Sequence, residues 1–275
     1  ISTHSSEILK GILSKTDDVN IIRITREDDT NTITKLEKEN LEKIMKTPRL
    51  RVSKILEGLF CEKVIITEAE SDEIFYQEFL EKVQPYSGVF FTHVNGKGNI
   101  VETSNLYKIL GVENVMIFDF DFIRNDSKSF SNNLRNLKLD EVKINEYLQI
   151  SRDVEQYITD KAKDNIDIDE DDDGYKEKIN IEKKKLYHIE GINCLESKLK
   201  NKVEKMLNEL ENKNVFVIRT GELESTMQNF GIEYTKNNKD GWIERAIEFI
   251  DGLDEEKISQ YKNEEIIKFI MKLKK

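Results

Sequence analysis

The chain has 275 residues, 37 % of them hydrophobic and 35 % charged, and a formal net charge of −11. That length suffices for one large domain or two modest ones. No run reaches 18 apolar residues and no signal peptide is visible, which argues against a membrane protein, so we expect a soluble cytoplasmic protein. Cys61 and Cys194 lie far apart without nearby cysteine or histidine pairs, which argues against structural zinc.

The first 58 residues predict a helix, a hairpin and further helix. Residues 5–15 begin with serine caps and continue with helical spacing. Residues 20–25 and 30–36 have the pattern of two strands joined by a short acidic turn, and 37–58 reads as one or two helices. Because the chain opens at Ile1 in the middle of such a pattern, we expect it to be the C-terminal part of a longer protein.

The next part of the chain alternates strand and helix patterns. Residues 63–67, 89–94 and 115–118 are short runs rich in β-branched and aromatic residues, as in buried strands. Residues 71–83 and 99–110, which separate these runs, have helical spacing. Strands and helices in this order predict right-handed crossovers and a parallel sheet.

The alternation of strand and helix patterns stops after the third strand and resumes near residue 214. Residues 125–200 are polar and helical in pattern, and 214–219 predicts a fourth strand followed by C-terminal helices. The predicted fold class is therefore α/β, with a mostly parallel sheet flanked by helices and a helical insertion over about 127–212.

The net negative charge is unevenly placed along the chain. The run DNIDIDEDDDG at 164–174 has 7 acids and no base, more than half of the net charge. Asp169, Asp171 and Asp173 match ligand positions of an EF-hand loop, but position 12 is Asn180 instead of glutamate, so we reject a calcium loop. The overall charge neither supports nor excludes nucleic-acid binding, because metals held by carboxylates invert the local sign.

Carboxylates follow three of the four predicted strands, at the edge of a parallel sheet where ligands bind. They are Glu68, Glu70 and Asp72 after the first strand, Asp119, Asp121 and Asp126 after the third, and Glu222 and Glu224 after the fourth, and of these we expect Glu70 to be an exposed acid outside the site. Such a cluster suits hard divalent cations, and two Mg²⁺ or Mn²⁺ ions about 3.5–4 Å apart stabilise both reacting oxygens of a phosphodiester. The period of 2 along a strand would direct Asp119 and Asp121 toward one metal.

These motifs resemble a known nuclease family. Glu68-x-x-x-Asp72, Asp119-x-Asp121 and the run GELE at 221–224 are similar to the Toprim domain of the OLD (overcoming lysogenization defect) family, which includes the nuclease subunit of Gabija-type antiphage systems. The opening ISTHSSEIL resembles the end of the ABC-type ATPase domain that precedes Toprim in that family, with His4 as the residue that senses the γ-phosphate of ATP. The resemblance implies a Toprim-like sheet at 59–275 and the end of the ATPase domain, with a connecting helix, at 1–58.

The resemblance also implies a role for individual residues. The assignments are Glu68 as a metal ligand or acid–base group, Asp72 as a second ligand, Asp119 and Asp121 as the paired aspartates, Glu222 or Glu224 as the late ligand, and Lys239, with Lys236 as the alternative, as the lysine that stabilises transition-state charge. One departure is Ala69, where the family usually has glycine. The function implied is a Mg²⁺- or Mn²⁺-dependent DNA endonuclease, regulated by ATP in the full-length protein. Antiphage defence, homo-oligomers and a helicase-like or other defence-system partner protein are implied by the resemblance alone.

Other functions remain open from the sequence. A haloacid-dehalogenase-like phosphatase would use Asp119 as its nucleophile, since VMIFDFDFI is a strand followed by D-x-D, but it leaves Glu68 unexplained. A primase or topoisomerase would share the Toprim chemistry. A non-catalytic, ATPase-associated assembly domain would keep the carboxylates as relics. Lys97, in a glycine turn, is a candidate phosphate contact, whereas His93 reads as structural and His188 gives no signal.

Overall fold

The computed structural model describes residues 1–16, 18–36, 39, 54–94, 96–124, 129–166, 174–232, 239–261 and 264–273. The chain forms two compact units, which are Ile1–Glu73 with Tyr86–Met116 and Ile74–Pro85 with Ile117–Lys275. The fold is α/β, with a four-stranded parallel sheet flanked by helices, which confirms the predicted class.

Helices and strands in the described residues alternate largely as the sequence predicts. The α-helices are α1 (Ser6–Leu13), α2 (Glu70–Val83), α3 (Lys97–Ile109), α4 (Ser129–Asn136), α5 (Glu141–Asp164), α6 (Tyr175–Lys185), α7 (Ser197–Glu211), α8 (Leu223–Met227), α9 (Lys239–Asp251), α10 (Glu255–Tyr261) and α11 (Glu265–Leu273). The strands are β1 (Ile21–Glu27), β2 (Thr30–Leu36), β3 (Lys63–Thr67), β4 (Val89–His93), β5 (Glu113–Phe118) and β6 (Val215–Val217). Short 3-10 turns occur at Lys54–Phe60, Phe120–Ile123, Gly191–Cys194 and Gln228–Phe230, and a π turn at Leu186–Glu190.

The first unit contains the predicted hairpin. β1 and β2 pair in antiparallel register from Ile21 opposite Leu36 to Glu27 opposite Thr30. The Arg23 side chain on β1 donates hydrogen bonds to the carbonyl oxygens of Leu59, Cys61 and Gly111, so one guanidinium holds the hairpin to the rest of this unit. The predicted helices of 37–58 lie mostly outside the described residues.

The sheet has the strand order β4-β3-β5-β6. β3 pairs in parallel with β4 on one side and with β5 on the other, and Val64, Ile65 and Ile66 are fully buried. The connection from β3 leads to one edge of the sheet, whereas the connection from β5 leads to the opposite edge. Neighbouring strands whose connections diverge in this way form a crevice at their carboxyl ends. The topology therefore predicts the ligand site beyond Thr67 and Phe118.

β6 is shorter than the strand predicted at 214–219. Asn214 has a left-handed backbone (φ 61°), so the strand begins one residue later. At the other end, Ile218 N donates to Phe118 O, but Arg219 N donates to the carboxylate of Glu265 instead of a strand carbonyl. Arg219 also pairs with Glu265 through its guanidinium at 2.7 Å, and this side-chain partner ends the ladder.

The predicted helical insertion is confirmed as helices α4 to α7, whereas the acidic residues 167–173 lie outside the described part of the chain. α5 begins at the Asp140 cap, whose side chain accepts from Lys143 N, and buries Ile144, Val154 and Ile158 on one face. α11, one of the predicted C-terminal helices, buries Ile266, Ile267, Ile270 and Leu273. Among the helices described, none is long and apolar enough to cross a membrane.

Candidate metal centre

Three carboxylates come together at the carboxyl ends of β3 and β5. Glu68 follows β3, Asp119 follows β5, and Asp121 lies in the 3-10 turn after it. Each offers an oxygen, and these three oxygens lie within 4.8 Å of one another. The Asp121 side chain is only 11 % exposed. An all-oxygen set of acidic ligands fits a hard divalent cation such as Mg²⁺ or Mn²⁺ and offers no soft ligand for a thiophilic metal.

The turn after β5 determines where the two aspartates lie. β5 ends at Phe118, so Asp121 belongs to a 3-10 turn and the strand period does not apply to it. Phe120 and Phe122 between and after the aspartates are buried, and Phe120 N donates to Gly221 O at 2.8 Å. Burial of the alternating aromatic residues, more than the strand geometry predicted from the sequence, directs the aspartates to the edge of the sheet.

Asp72 has a structural contact in the first turn of α2. Its carboxylate accepts a hydrogen bond from Ala69 N at 3.1 Å, and it lies outside the three-carboxylate group. An acidic side chain at the third helical position can accept a hydrogen bond from the backbone N–H of the N-cap residue, which has no partner within the helix. Ala69 is not among the described residues with positive φ, so this turn does not need the family's glycine. Metal ligation by Asp72 stays a prediction.

Glu222 and Glu224 lie at the start of α8. Glu222 is the cap residue and Glu224 is in the first turn, and neither belongs to the group formed by Glu68, Asp119 and Asp121. Glu222 Oε2 lies 2.9 Å from His188 Nδ1, an ion-pair distance without hydrogen-bond alignment. The late ligand proposed from the sequence therefore faces a histidine, and its role as a metal ligand stays a prediction.

His188 is a residue that the sequence did not single out. It lies in the π turn Leu186–Glu190, and its Nε2 is 3.8 Å from Asp121 Oδ2. No spacing or motif in the sequence signals this, because the π turn belongs to the insertion, 67 residues after Asp121, beyond the reach of the family resemblance. π turns are rare, and those that occur are frequently at functional sites. The sequence pattern does not reveal such a turn, so it is recognised only in the structure.

One carboxylate of the insertion supports the π turn. Glu155 on α5 forms an ion pair with Lys183, accepts a hydrogen bond from Tyr187 Oη at 2.8 Å, and lies 3.9 Å from Arg124. Burial opposes ionisation of Glu155, but Lys183, Tyr187 and Arg124 outweigh it, and the pKa of Glu155 is lowered from its ordinary value of 4.5. Burial, followed by the charge of Glu155, raises the pKa of Tyr187, which therefore stays a hydrogen-bond donor.

We expect Glu155→Gln to lower the free energy of unfolding by about 1.5–3 kcal/mol at pH 7, because it removes a charge-assisted hydrogen-bond network. The folded-state pKa is depressed, so this contribution is present above pH 4.5 and is lost as the pH falls through the lower folded value. Urea unfolding at a series of pH values tests both points. A difference between parent and variant that stays constant down to pH 3 would contradict the linkage.

The remaining predicted residues are less informative. Lys97 begins α3 directly after Gly96, which has φ 112°. Lys239 begins α9, but its side chain lies outside the described part of the structure. Lys236 and Asp126 also lie outside it. His4 is exposed and meets the ring of Phe60 edge-on at 6.3 Å. None of these positions tests the roles assigned to them.

Comparison with known proteins gives one finding. Residues 59–121 match the family model of the overcoming lysogenization defect protein-like TOPRIM domain. The match contains β3, α2, β4, α3 and β5 with Glu68, Asp119 and Asp121, and it ends before the insertion. No curated protein matches the chain. A Toprim-like segment together with the acidic cluster suggests metal-dependent nucleic-acid hydrolysis and divalent-metal binding.

Proposed function

We propose that this chain is a Mg²⁺- or Mn²⁺-dependent DNA endonuclease that hydrolyses phosphodiester bonds. The supporting observation is the group of three carboxylate oxygens from Glu68, Asp119 and Asp121 within 4.8 Å, inside the segment similar to a Toprim domain. A random acidic surface would distribute carboxylates along helix faces. Here they converge at the crevice that the strand order creates.

Different residues of the chain would bind the metal and stabilise charge on the phosphate. Glu68, Asp119 and Asp121 would hold the cation, and Asp72, Glu222 and Glu224 are candidates for further ligands. A bound divalent cation supplies charge stabilisation at the phosphoryl oxygens and a more acidic water. Lys239 would stabilise negative charge that develops on the phosphate, with Lys236 as the alternative. Asp72 would first have to exchange its hydrogen bond from Ala69 N, and Glu222 its contact with His188.

The wider assignment belongs to the same proposal. Residues 1–58 would be the end of an ABC-type ATPase domain, with His4 as its γ-phosphate sensor, and 59–275 the nuclease domain. ATP would then regulate cutting in the full-length protein. A cytoplasmic role in defence against phage, homo-oligomers and a helicase-like partner related to Gabija-type systems follow from the family resemblance. The phosphatase alternative gains no support from the site, because nucleophilic attack by Asp119 does not require Glu68.

The experiment is plasmid cleavage by the full chain with Mg²⁺, Mn²⁺ or EDTA. We expect nicked or linear plasmid with metal and intact supercoiled plasmid in EDTA. The variant Asp119→Asn/Asp121→Asn should be inactive with either metal. The matched control is Asp153→Asn/Asp160→Asn on α5, where the two aspartates bond to Gln149 and Gln156, and it should cut like the parent.

Each outcome bears on the proposal. Equal cutting by the parent and Asp119→Asn/Asp121→Asn would overturn the assigned site. Failure of the parent to cut with either metal, with or without ATP, would favour the assembly domain instead. An acid-stable phosphoryl group on Asp119 after incubation with a phosphate monoester would favour the phosphatase.

A further inference from the structure

The histidine of the π turn contacts two acidic residues of the candidate site. His188 Nδ1 lies 2.9 Å from Glu222 Oε2, and His188 Nε2 lies 3.8 Å from Asp121 Oδ2. The side chains of His188, Glu222 and Asp121 are 28 %, 21 % and 11 % exposed, so these contacts are largely shielded from solvent. Polar contacts at these distances are stronger when solvent is partly excluded. A single imidazole therefore joins a carboxylate of the three-oxygen group to the cap residue of α8.

Backbone contacts hold His188 in this position. His188 O accepts from Glu222 N at 2.9 Å, and Ile192 N donates to Arg219 O at 2.7 Å, so the π turn and the 3-10 turn directly after it are each bonded to the loop after β6. That loop is bonded in turn to the segment after β5, where Phe120 N donates to Gly221 O at 2.8 Å. Three segments distant in sequence are thus joined by main-chain hydrogen bonds next to the acidic residues.

Two glycines make this approach possible. A Cβ on Gly191 would lie 2.2 Å from Arg219 O, and a Cβ on Gly221 would lie 2.2 Å from His188 O. Both have positive φ, at 54° and 117°. Only glycine permits such a conformation and such a close approach of two backbones without strain. The local sequence is thus suited to placing the π turn directly against the site.

We propose that His188 is a positioning residue of the metal centre, through which the helical insertion holds the carboxylates of Asp121 and Glu222 in place. This inference rests on the proposed function. It assigns the insertion, which the Toprim match does not include, a part in the site itself. Groups that hold a metal ligand from behind restrict its orientation, and their removal typically costs about 10- to 100-fold in metal affinity or activity.

The test is calorimetric titration of the full chain with Mn²⁺, beside plasmid cleavage. For His188→Ala we expect the Mn²⁺ dissociation constant to rise about 10- to 100-fold. His188→Asn retains an amide donor near the position of Nδ1 and should recover part of that loss. The matched control is Glu190→Gln on the same π turn, because Glu190 faces Lys161 at 3.5 Å and should bind Mn²⁺ like the parent.

The outcomes separate the two proposals. Mn²⁺ binding that is lost in Asp119→Asn/Asp121→Asn but is unchanged or tighter in His188→Ala would overturn the positioning role and leave the nuclease proposal intact. Equal Mn²⁺ binding by the parent and Asp119→Asn/Asp121→Asn would overturn both. A lower unfolding midpoint of His188→Ala in EDTA, with unchanged Mn²⁺ affinity of the folded protein, would show a purely structural role and would also overturn the inference.

Discussion

Replacing Glu68 with glutamine is expected to lower the rate of metal-dependent plasmid cleavage on the order of 1,000-fold. Loss of a residue that merely supports a ligand costs about 10- to 100-fold, so loss of a direct ligand should cost more. Glutamine keeps the size of the side chain and one oxygen, but it removes the charge that attracts the cation. The expected defect is therefore one of metal binding, and high Mn²⁺ concentrations should restore part of the activity.

The same substitution should stabilise the protein when metal is absent. Three carboxylates whose oxygens lie within 4.8 Å repel one another, and a site built for a cation carries this cost in its empty state. We expect Glu68→Gln to raise the free energy of unfolding in EDTA by about 1 kcal/mol, after screening by solvent. At a metal concentration about 100 times the dissociation constant, the parent should gain about 2.7 kcal/mol that the variant does not. The order of stability should therefore reverse when metal is added.

Cleavage rates and urea unfolding, each with EDTA and with Mg²⁺, measure both effects. Glu70→Gln is the matched control, because Glu70 is an exposed acid two residues further on, in the first turn of α2. It should leave cleavage and the metal-dependent gain in stability unchanged. A Glu68→Gln variant that is less stable than the parent in EDTA would show that Glu68 has a structural role instead of a ligand role.

The strands and the acidic site could be predicted because local pattern determines them. Polar residues flank the run KVIIT at 63–67 on both sides, so the pattern shows where the strand begins and ends. The structure buries the middle residues of this strand completely. Parallel strands then place whatever follows them at one edge. Glu68 and Asp119, the first residues after β3 and β5, therefore converge once the strand order is given, whereas Asp121 reaches the same edge through the 3-10 turn after β5.

The remainder depends on contacts that the sequence does not encode locally. Asp72 has the family's spacing from Glu68, but the same spacing places it where it can bond to the cap amide of α2. His188 approaches Asp121 because a π turn in the insertion is held against the loop after β6 by main-chain bonds. Periodicity reports which side chains share a face within one element. It does not report which turns meet across a fold.

The second large effect is expected from Gly221→Ala, which should lower the free energy of unfolding by about 2–6 kcal/mol. An alanine at this position would combine an unfavourable positive φ with a clash, since its Cβ would lie 2.2 Å from His188 O. Backbone strain of this kind costs about 1–3 kcal/mol, and forcing extra volume into a packed site costs about as much again. Urea unfolding in EDTA measures the loss independently of metal binding.

Gly174→Ala separates the two contributions. Gly174 has the same φ of 117°, but within the described residues no atom lies within 4 Å of its hypothetical Cβ. It should therefore show the cost of the dihedral angle without the clash, about 1–3 kcal/mol. Because the extra loss in Gly221→Ala arises from pushing the π turn away from the loop after β6, it should be accompanied by weaker Mn²⁺ binding, as for His188→Ala. Equal losses in the two glycine variants, with unchanged Mn²⁺ affinity, would mean that the close backbone approach does not hold His188 against the acidic residues.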